Sequence, residues 1–126
     1  MPSFRIRERA KSFVYAFRGV KTLVQSQHNA WIHLAATVLV VFVGIFFEIS
    51  RNEWLWIILS IAIVWLAESF NTALEFLADA VSLEHNALIE KSKDVAAGGV
   101  LLAAIAAAII GILVFLPYVL RFVRLA

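Results

Sequence analysis

Three long apolar segments constrain what this chain can fold into. The third, from Val95 to Leu116, contains 22 residues and no Asp, Glu, Lys or Arg. As an α-helix it would be about 33 Å long, which is enough to cross the hydrocarbon core of a bilayer. Hydrophobic residues make up 63% of the 126 residues, more than a soluble domain of this length can bury. We therefore expect an integral membrane protein, and we exclude a disordered chain and most soluble enzyme folds.

The expected fold class is all-α, with an N-terminal amphipathic interfacial helix followed by three transmembrane helices. We expect one domain over residues 1–126, in which residues 1–29 form the amphipathic arm. The membrane helices are expected at about 30–48, 53–81 and 88–120. The chain has no cysteine, which excludes disulfides, thiolate metal sites and a cysteine nucleophile.

The arm has the pattern of a helix that lies in the membrane interface. Apolar side chains repeat on one helical face, and basic side chains occupy another face about 120° away. The apolar face contains Ile6, Phe13, Phe17, Val20 and Val24, and the basic face contains Arg7, Lys11, Arg18 and Lys21. Such a helix buries its apolar face at the headgroup level. The alternative is an ordinary surface helix of a soluble protein, and the membrane spans that follow favour the interfacial helix.

The distribution of basic residues predicts the orientation in the membrane. With three spans, the arm and the turn at residues 82–94 lie on the same side of the bilayer. Eight of the 11 Lys and Arg residues fall in these two segments. Cytoplasmic segments next to membrane spans are rich in Lys and Arg. We therefore expect the N-terminus and this turn to face the cytoplasm.

The second membrane helix carries a stripe of polar side chains near its cytoplasmic end. Glu68, Asn71, Glu75 and Asp79 fall within a sector of about 80° on a helical wheel. Acidic residues near a membrane are energetically costly and are functional candidates by default. Hard oxygen donors of this kind suit Mg²⁺. The alternative is a solvated acidic face where the helix leaves the bilayer.

A second polar cluster follows the turn, at Glu84-His85-Asn86, Glu90 and Lys93-Asp94. A short connection allows the two clusters to face each other in a helical hairpin, where Lys93 could contact a phosphate. Taken alone this signal is weak, because a charged helix start beside a membrane explains it equally well. The three histidines, His28, His33 and His85, lack the spacing of zinc ligands.

Together, these segments resemble the prokaryotic diacylglycerol kinase family, which includes the undecaprenol kinases. The resemblance covers nearly the whole chain and rests on Glu68-x-x-Asn71-Thr-Ala-x-Glu75, Asp79 and Lys93-Asp94-x-Ala-Ala-Gly. It implies a small membrane lipid kinase that uses ATP and Mg²⁺ to phosphorylate a lipid hydroxyl. It also implies a homotrimer in the bacterial cytoplasmic (inner) membrane, with active sites between neighbouring subunits on the cytoplasmic side.

The resemblance also implies roles for individual residues. Glu68 looks like the general base that takes the proton from the lipid hydroxyl, Asn71 like an organiser of the site, and Glu75 like a Mg²⁺ ligand. The nucleotide contacts that it implies are Tyr15, Glu84, His85, Asn86, Lys93 and Asp94. The lipid or arm contacts that it implies are Arg7, Arg9, Lys11, Asp79 and Ala97.

Three positions depart from the family pattern. Gln27 stands where the family has a second Mg²⁺-binding glutamate, so a neutral amide replaces a charged ligand. Asn86 stands where the turn usually carries a histidine, which puts the adenosine contact in question. An arginine that contacts both substrates in the family falls near Glu8 here, and Arg7 or Arg9 could take its place.

The acceptor expected first is diacylglycerol, with phosphatidic acid as the product. The alternative is undecaprenol, because the segment Asn29–His33 resembles the undecaprenol-type branch more. A second alternative is an inactive family member that acts as a membrane interaction protein, for which Gln27 is the best argument. A third is ion or proton transport along the acidic stripe, although that stripe lies at one interface. No nucleic-acid partner is expected.

Overall fold

The computed structural model describes residues 6–82 and 84–125, with the side chains of residues 6, 7, 9 and 10 left out. The chain forms four helices, α1 (Ile6–Ser26), α2 (His28–Phe46), α3 (Arg51–Val81) and α4 (Ala87–Leu125). The all-helical fold class predicted from the sequence is therefore confirmed. The most extensive packing is between α3 and α4, and α2 packs against α3.

Three of the four helices, α2, α3 and α4, are long and apolar enough to cross a membrane. Many of their large apolar side chains face outward, as shown by Phe42 at 66% and Leu102 at 69% exposure. The apolar face of α1 is also exposed, including Phe13 and Phe17. Surfaces of this kind are stable when lipid, not water, surrounds them.

The break between α1 and α2 occurs at Gln27. Its backbone is extended, with φ −116° and ψ 123°, so it interrupts the helical hydrogen bonding between Ser26 and His28. Leu23 on one side of the break and Ala30 on the other are both buried. The break separates the arm from the first membrane helix, which begins about two residues earlier than expected.

The corner between α2 and α3 is fixed by a reciprocal cap. The Ser50 hydroxyl accepts a hydrogen bond from the Glu53 backbone N–H at 3.3 Å, and Glu53 Oε2 accepts one from the Ser50 N–H at 2.7 Å. This capping box satisfies two backbone donors that the first turn of α3 would leave unpaired. Tyr118 on α4 donates to the same Glu53 oxygen at 2.7 Å, so the cap also ties α4 to the corner.

The helix α4 continues through Pro117 to Leu125, beyond the expected end at about residue 120. Proline removes one backbone hydrogen bond and usually kinks or ends a helix. Here aromatic contacts hold the following turns in place. The Phe122 ring lies 6.1 Å from that of Phe46 and 6.3 Å from that of Phe47. Packing against the end of α2 therefore offsets the local cost of the proline.

The buried apolar core contains Ile49, Ile57 and Val114. It lies at the end of the bundle that holds the α2–α3 corner. Glu68 is about three helical turns further along α3 than Ile57. The polar stripe therefore begins about 16 Å along α3 from this apolar core, and it extends toward the arm and the α3–α4 turn.

Candidate active site

Glu68 is the most deeply buried charged group among the described residues, with 0% exposure. Neither of its carboxylate oxygens has a hydrogen-bond partner within the described part of the chain. One turn further along the same face of α3, Asn71 and Thr72 are also buried, at 4% exposure. Each has one side-chain oxygen without a hydrogen-bond partner among the described residues. Burial of unpaired polar groups is costly. Such a concentration therefore marks a place where a bound group could supply the missing contacts.

The helical repeat of α3 places the stripe residues one above another. Asn71 Nδ2 donates a hydrogen bond to Glu75 Oε1, one turn away, at 3.2 Å. Exposure rises along the stripe, from the buried Glu68 to the Asp79 side chain at 53%. One end of the stripe is therefore buried in the bundle and the other end is at the surface, where a charged substrate could reach it.

Gln27 meets Glu75 across the gap between the arm and α3. Its Nε2 donates to Glu75 Oε2 at 2.8 Å. The extended backbone of Gln27 at the α1–α2 break places this side chain against α3. The structure thus brings together the two residues that the family resemblance pairs as metal ligands.

The oxygen atoms at this point fit a Mg²⁺ ion with few protein ligands. Glu75 offers a carboxylate, and Asn71 offers a buried amide oxygen without a partner. A half-turn of the Gln27 amide would present its oxygen in place of the nitrogen. Among the described residues there is no group of three or more His, Cys, Asp or Glu that could form a metal cage. Mg²⁺ commonly takes one or two carboxylates and completes its shell with water and phosphate.

Lys93 lies opposite the end of the stripe. Its Nζ donates to Asp79 Oδ1 at 2.6 Å and forms an ion pair that joins the first turns of α4 to the last turns of α3. Asp94 and Ala97, the other expected contacts on α4, are exposed. The ammonium group that we expect to meet a phosphate is therefore held on the stripe by a carboxylate.

Asn86 has a structural role that the sequence comparison with the family did not suggest. Its Oδ1 accepts hydrogen bonds from the backbone N–H groups of Leu88 at 2.9 Å and Ile89 at 3.3 Å. It therefore caps the start of α4, a position at which asparagine is strongly preferred. His85 is exposed, with Nδ1 3.9 Å from Glu90 Oε2. Glu84 is exposed in the same turn.

Among the expected contacts on the arm, the side chains that the structure describes, Tyr15 and Lys11, are exposed. Tyr15 is 63% exposed, and the Arg18 guanidinium carbon lies 5.7 Å from the centre of its ring, within range of a cation–π interaction. Lys11 is exposed. The helical backbone of Arg7 and Arg9 is described, but their side chains lie outside the described part of the chain.

Sequence reasoning missed three residues beside Glu68. His33 Nε2 on α2 lies 3.8 Å from Glu68 Oε2, whereas the sequence did not indicate a role for His33 beside Glu68. Thr37 is one turn further along α2, and its hydroxyl accepts a hydrogen bond from Trp65 Nε1 at 3.0 Å. The four-residue spacing of His33 and Thr37, and the three-residue spacing of Trp65 and Glu68, are the signals that could have paired these helices.

A largely apolar cavity of about 550 Å³ lies between α2, α3 and α4. His33 and Thr37 are among its few polar residues. Further along it is lined by small and apolar side chains such as Ala104, Phe115 and Val119. The cavity could hold a hydrocarbon chain, and the same histidine that lies beside Glu68 forms part of its wall.

Comparison with known proteins is consistent with this arrangement. Residues 14–115 match the family described as prokaryotic diacylglycerol kinase. The chain is 39% identical over 107 residues to a protein of Bacillus subtilis (strain 168) named undecaprenol kinase, covering 85% of this chain and 87% of that protein. It is 37% identical over 107 residues to a protein of a Synechocystis species named diacylglycerol kinase, covering 84% of this chain and 61% of that protein.

The family match includes most of the chain and all of the polar stripe, from Glu68 to Asp79. It also includes Gln27, Tyr15 and the start of α4, whereas the basic residues Arg7, Arg9 and Lys11 precede it. With its three candidate membrane helices and a relative of 39% identity over nearly its full length, the chain belongs to the prokaryotic diacylglycerol kinase family, a family of lipid kinases.

Proposed function

We propose that this chain transfers the γ-phosphoryl group of ATP to the hydroxyl group of a membrane lipid. The observation that supports this most strongly is the Glu68 carboxylate, which is fully buried and has no hydrogen-bond partner among the described residues. In the proposed reaction Glu68 accepts the hydroxyl proton while the lipid oxygen bonds to the γ-phosphorus. The bond from that phosphorus to the bridging oxygen breaks, and ADP leaves.

The proposed Mg²⁺ site consists of Glu75 with the amide oxygens of Gln27 and Asn71. When bound there, Mg²⁺ would neutralise phosphate charge and orient the transferred group. Lys93, near the start of α4, would contact a phosphate in place of its present partner Asp79. Further nucleotide contacts are proposed at Tyr15, Glu84, His85, Asn86 and Asp94.

The acceptor that we propose is a lipid alcohol, either diacylglycerol or a polyprenol. Both carry a hydroxyl group at the end of long hydrocarbon chains, and both chemistries fit a buried base beside a largely apolar cavity. The relatives bear names for both acceptors at similar identity, 39% for undecaprenol kinase and 37% for diacylglycerol kinase. Polyprenol is therefore a second candidate, supported by the relative named undecaprenol kinase, of which this chain covers 87%.

We also propose that the protein is a homotrimer in the bacterial inner membrane with its N-terminus in the cytoplasm. The charge distribution supports this orientation, because segments rich in Lys and Arg, such as the arm and the turn before Lys93, usually face the cytoplasm, where ATP is present. Exposed apolar faces on α2 and α4 leave surface for contacts between subunits. The small residues at the start of α4, among them Ala96 and Gly99, would allow helices to approach closely.

The test is transfer of labelled γ-phosphate from Mg-ATP to lipid in mixed micelles, with diacylglycerol and undecaprenol offered separately. We expect label on at least one lipid, and Glu68→Gln should abolish transfer while leaving the fold and assembly intact. The matched control is Glu48→Gln, because Glu48 is exposed at the α2–α3 corner; it should retain activity.

Each outcome has a distinct meaning. Label on one lipid would identify the acceptor. Transfer by Glu68→Gln at the wild-type rate would remove Glu68 as the base. No label on either lipid, from wild-type protein shown to be folded and assembled, would contradict the proposed function and favour an inactive member of the family.

A further inference from the structure

The buried carboxylate of Glu68 requires a hydrogen-bond donor that its own helix does not supply. Both of its oxygens lack partners within the described chain. A charged group buried in this way is unstable unless a nearby group pairs with it. His33 Nε2, at 3.8 Å from Glu68 Oε2, is the one nitrogen of a basic side chain within 4 Å of either oxygen among the described residues.

The imidazole of His33 lies beside a hydrogen bond that joins α2 to α3. The Thr37 hydroxyl donates to the His33 carbonyl oxygen at 2.7 Å and accepts from Trp65 Nε1 at 3.0 Å. The Trp65 ring in turn meets the His33 ring edge to face, with 6.5 Å between centroids and an angle of 67°. Thr37 therefore holds the Trp65 indole, and that indole packs against the His33 ring.

This arrangement connects α2 to α3 at one level of the bundle. Trp65 and Glu68 are one turn apart on α3, and His33 and Thr37 are one turn apart on α2, so the two pairs face each other. Hydrogen bonds between helices within a membrane stabilise their packing. The hydrogen bond between Trp65 and Thr37 would be enough to hold α2 against α3. The position of His33 beside an unpaired carboxylate is not needed for that packing, and it therefore indicates a role at Glu68.

We infer that His33 is a positioning residue for Glu68, which directs the carboxylate toward the lipid hydroxyl through a hydrogen bond from Nε2. The gap of 3.8 Å closes with a small rotation of either side chain, and hydrogen bonds at active sites commonly shorten when substrate binds. The side-chain exposure of His33 is 15% and that of Glu68 is 0%, so water competes little for this contact. The inference rests on the proposed role of Glu68 as the base.

Two substitutions separate positioning from simple packing. In His33→Gln, the amide nitrogen can reach about where Nε2 lies, so the donor is kept. In His33→Asn the donor is about one bond shorter and falls near the position of Nδ1. A role in packing predicts similar effects for both, whereas positioning predicts that Gln restores function and Asn does not. His28→Gln is the matched control, because His28 is an exposed histidine five residues before His33 on the same helix.

The kinetic measurement is kcat and the KM for ATP in mixed micelles for each variant. We expect His33→Asn to lower kcat about tenfold to hundredfold, as loss of an orienting partner does elsewhere. We expect the KM for ATP to change less than about twofold, because Lys93, the proposed phosphate contact, pairs with Asp79 and not with His33. His33→Gln should recover most of kcat, and His28→Gln should match the wild type.

A second measurement does not depend on activity. The ¹⁵N chemical shifts of the His33 imidazole, recorded in micelles without substrate, should move in Glu68→Gln, while those of His28 stay unchanged. Unmoved His33 shifts, or equal kcat values for the wild type and His33→Asn, would overturn the inference. A third outcome is that the His33 shifts move but the wild-type protein phosphorylates neither lipid. The contact between His33 and Glu68 would then be established, but the proposed function and the catalytic role of that contact would be overturned.

Discussion

Gln27 and Glu75 are 48 positions apart in the sequence, and their side chains meet in a hydrogen bond of 2.8 Å. The contact closes the gap between the arm and α3 at the break that separates α1 from α2. The Gln27 amide nitrogen donates to the Glu75 carboxylate here. After a rotation of the amide, the Gln27 oxygen and the same carboxylate could hold Mg²⁺.

Replacement of Gln27 by glutamate should strengthen the dependence of the protein on Mg²⁺. Two carboxylates would then face each other without an intervening donor, and like charges at this distance repel. We expect Gln27→Glu to lower the Tm in EDTA and to recover or exceed the wild-type Tm in Mg²⁺. The Mg²⁺ concentration for half-maximal activity should fall severalfold.

The control for that experiment is Gln25→Glu, which makes the same change at an exposed position on α1. It should leave both the Tm and the Mg²⁺ dependence unchanged. If Gln27→Glu behaved in the same way as this control, Gln27 would lie outside the metal site.

The ion pair between Lys93 and Asp79 should compete with nucleotide binding. Their side chains are 38% and 53% exposed, so the pair contributes little to stability. Asp79→Asn frees the ammonium group, and we expect the KM for ATP to stay the same or to fall. Lys93→Met removes the proposed phosphate contact and should raise the KM for ATP about tenfold, the effect of losing one charge-assisted hydrogen bond.

ATP titrations of the initial rate test both variants, with Lys91→Met as the control for loss of a nearby exposed lysine. A rise in KM for Asp79→Asn equal to that for Lys93→Met would show that the intact pair, and not the free lysine, is what the nucleotide requires.

Gly44 is required for the approach of α2 to the start of α3. A Cβ atom at this position would lie 2.7 Å from Trp54 Cη2 and 2.9 Å from Cζ2. The rigid indole would have to shift, and overpacking of this kind costs about 1–3 kcal/mol. We expect Gly44→Ala to lower the free energy of unfolding by that amount in denaturant titrations in micelles.

Gly111→Ala provides the comparison, because nothing lies within 4 Å of a Cβ atom built at that helical position. Alanine favours a helix over glycine by about 1 kcal/mol, so this variant should be neutral or more stable. Equal losses of stability in the two variants would mean that the contact with Trp54 does not decide the effect.

Tyr118→Phe should loosen the end of the bundle opposite the site. It removes the hydrogen bond of 2.7 Å to Glu53 and keeps the ring that packs on Phe47. We expect a lower Tm and an unchanged kcat, since Glu53 and Glu68 lie about four helical turns apart on α3. Thermal unfolding and the lipid kinase assay measure the two effects; a fall in kcat with an unchanged Tm would contradict this expectation.

The sequence was sufficient to predict the membrane helices and the stripe from Glu68 to Asp79, because both follow from local patterns. Apolar length identifies a span, and a spacing of three or four residues puts side chains on one helical face. The sequence also predicted the polar turn ahead of α4, but it did not indicate that Asn86 caps that helix. The helix α4 extends past the expected residue 120 to Leu125, because contacts of Phe122 with residues distant in the sequence support it beyond Pro117.

The sequence by itself determined the fold class and the residues that form the polar stripe, since each depends on one helix at a time. The tertiary structure decided which helix faces that stripe. It placed Gln27 against Glu75, Lys93 against Asp79 and His33 beside Glu68. The physical reason is that helical periodicity sets the faces of a single helix, whereas the pairing of faces depends on the angles at the breaks and corners, which the Gln27 backbone and the Ser50 cap fix.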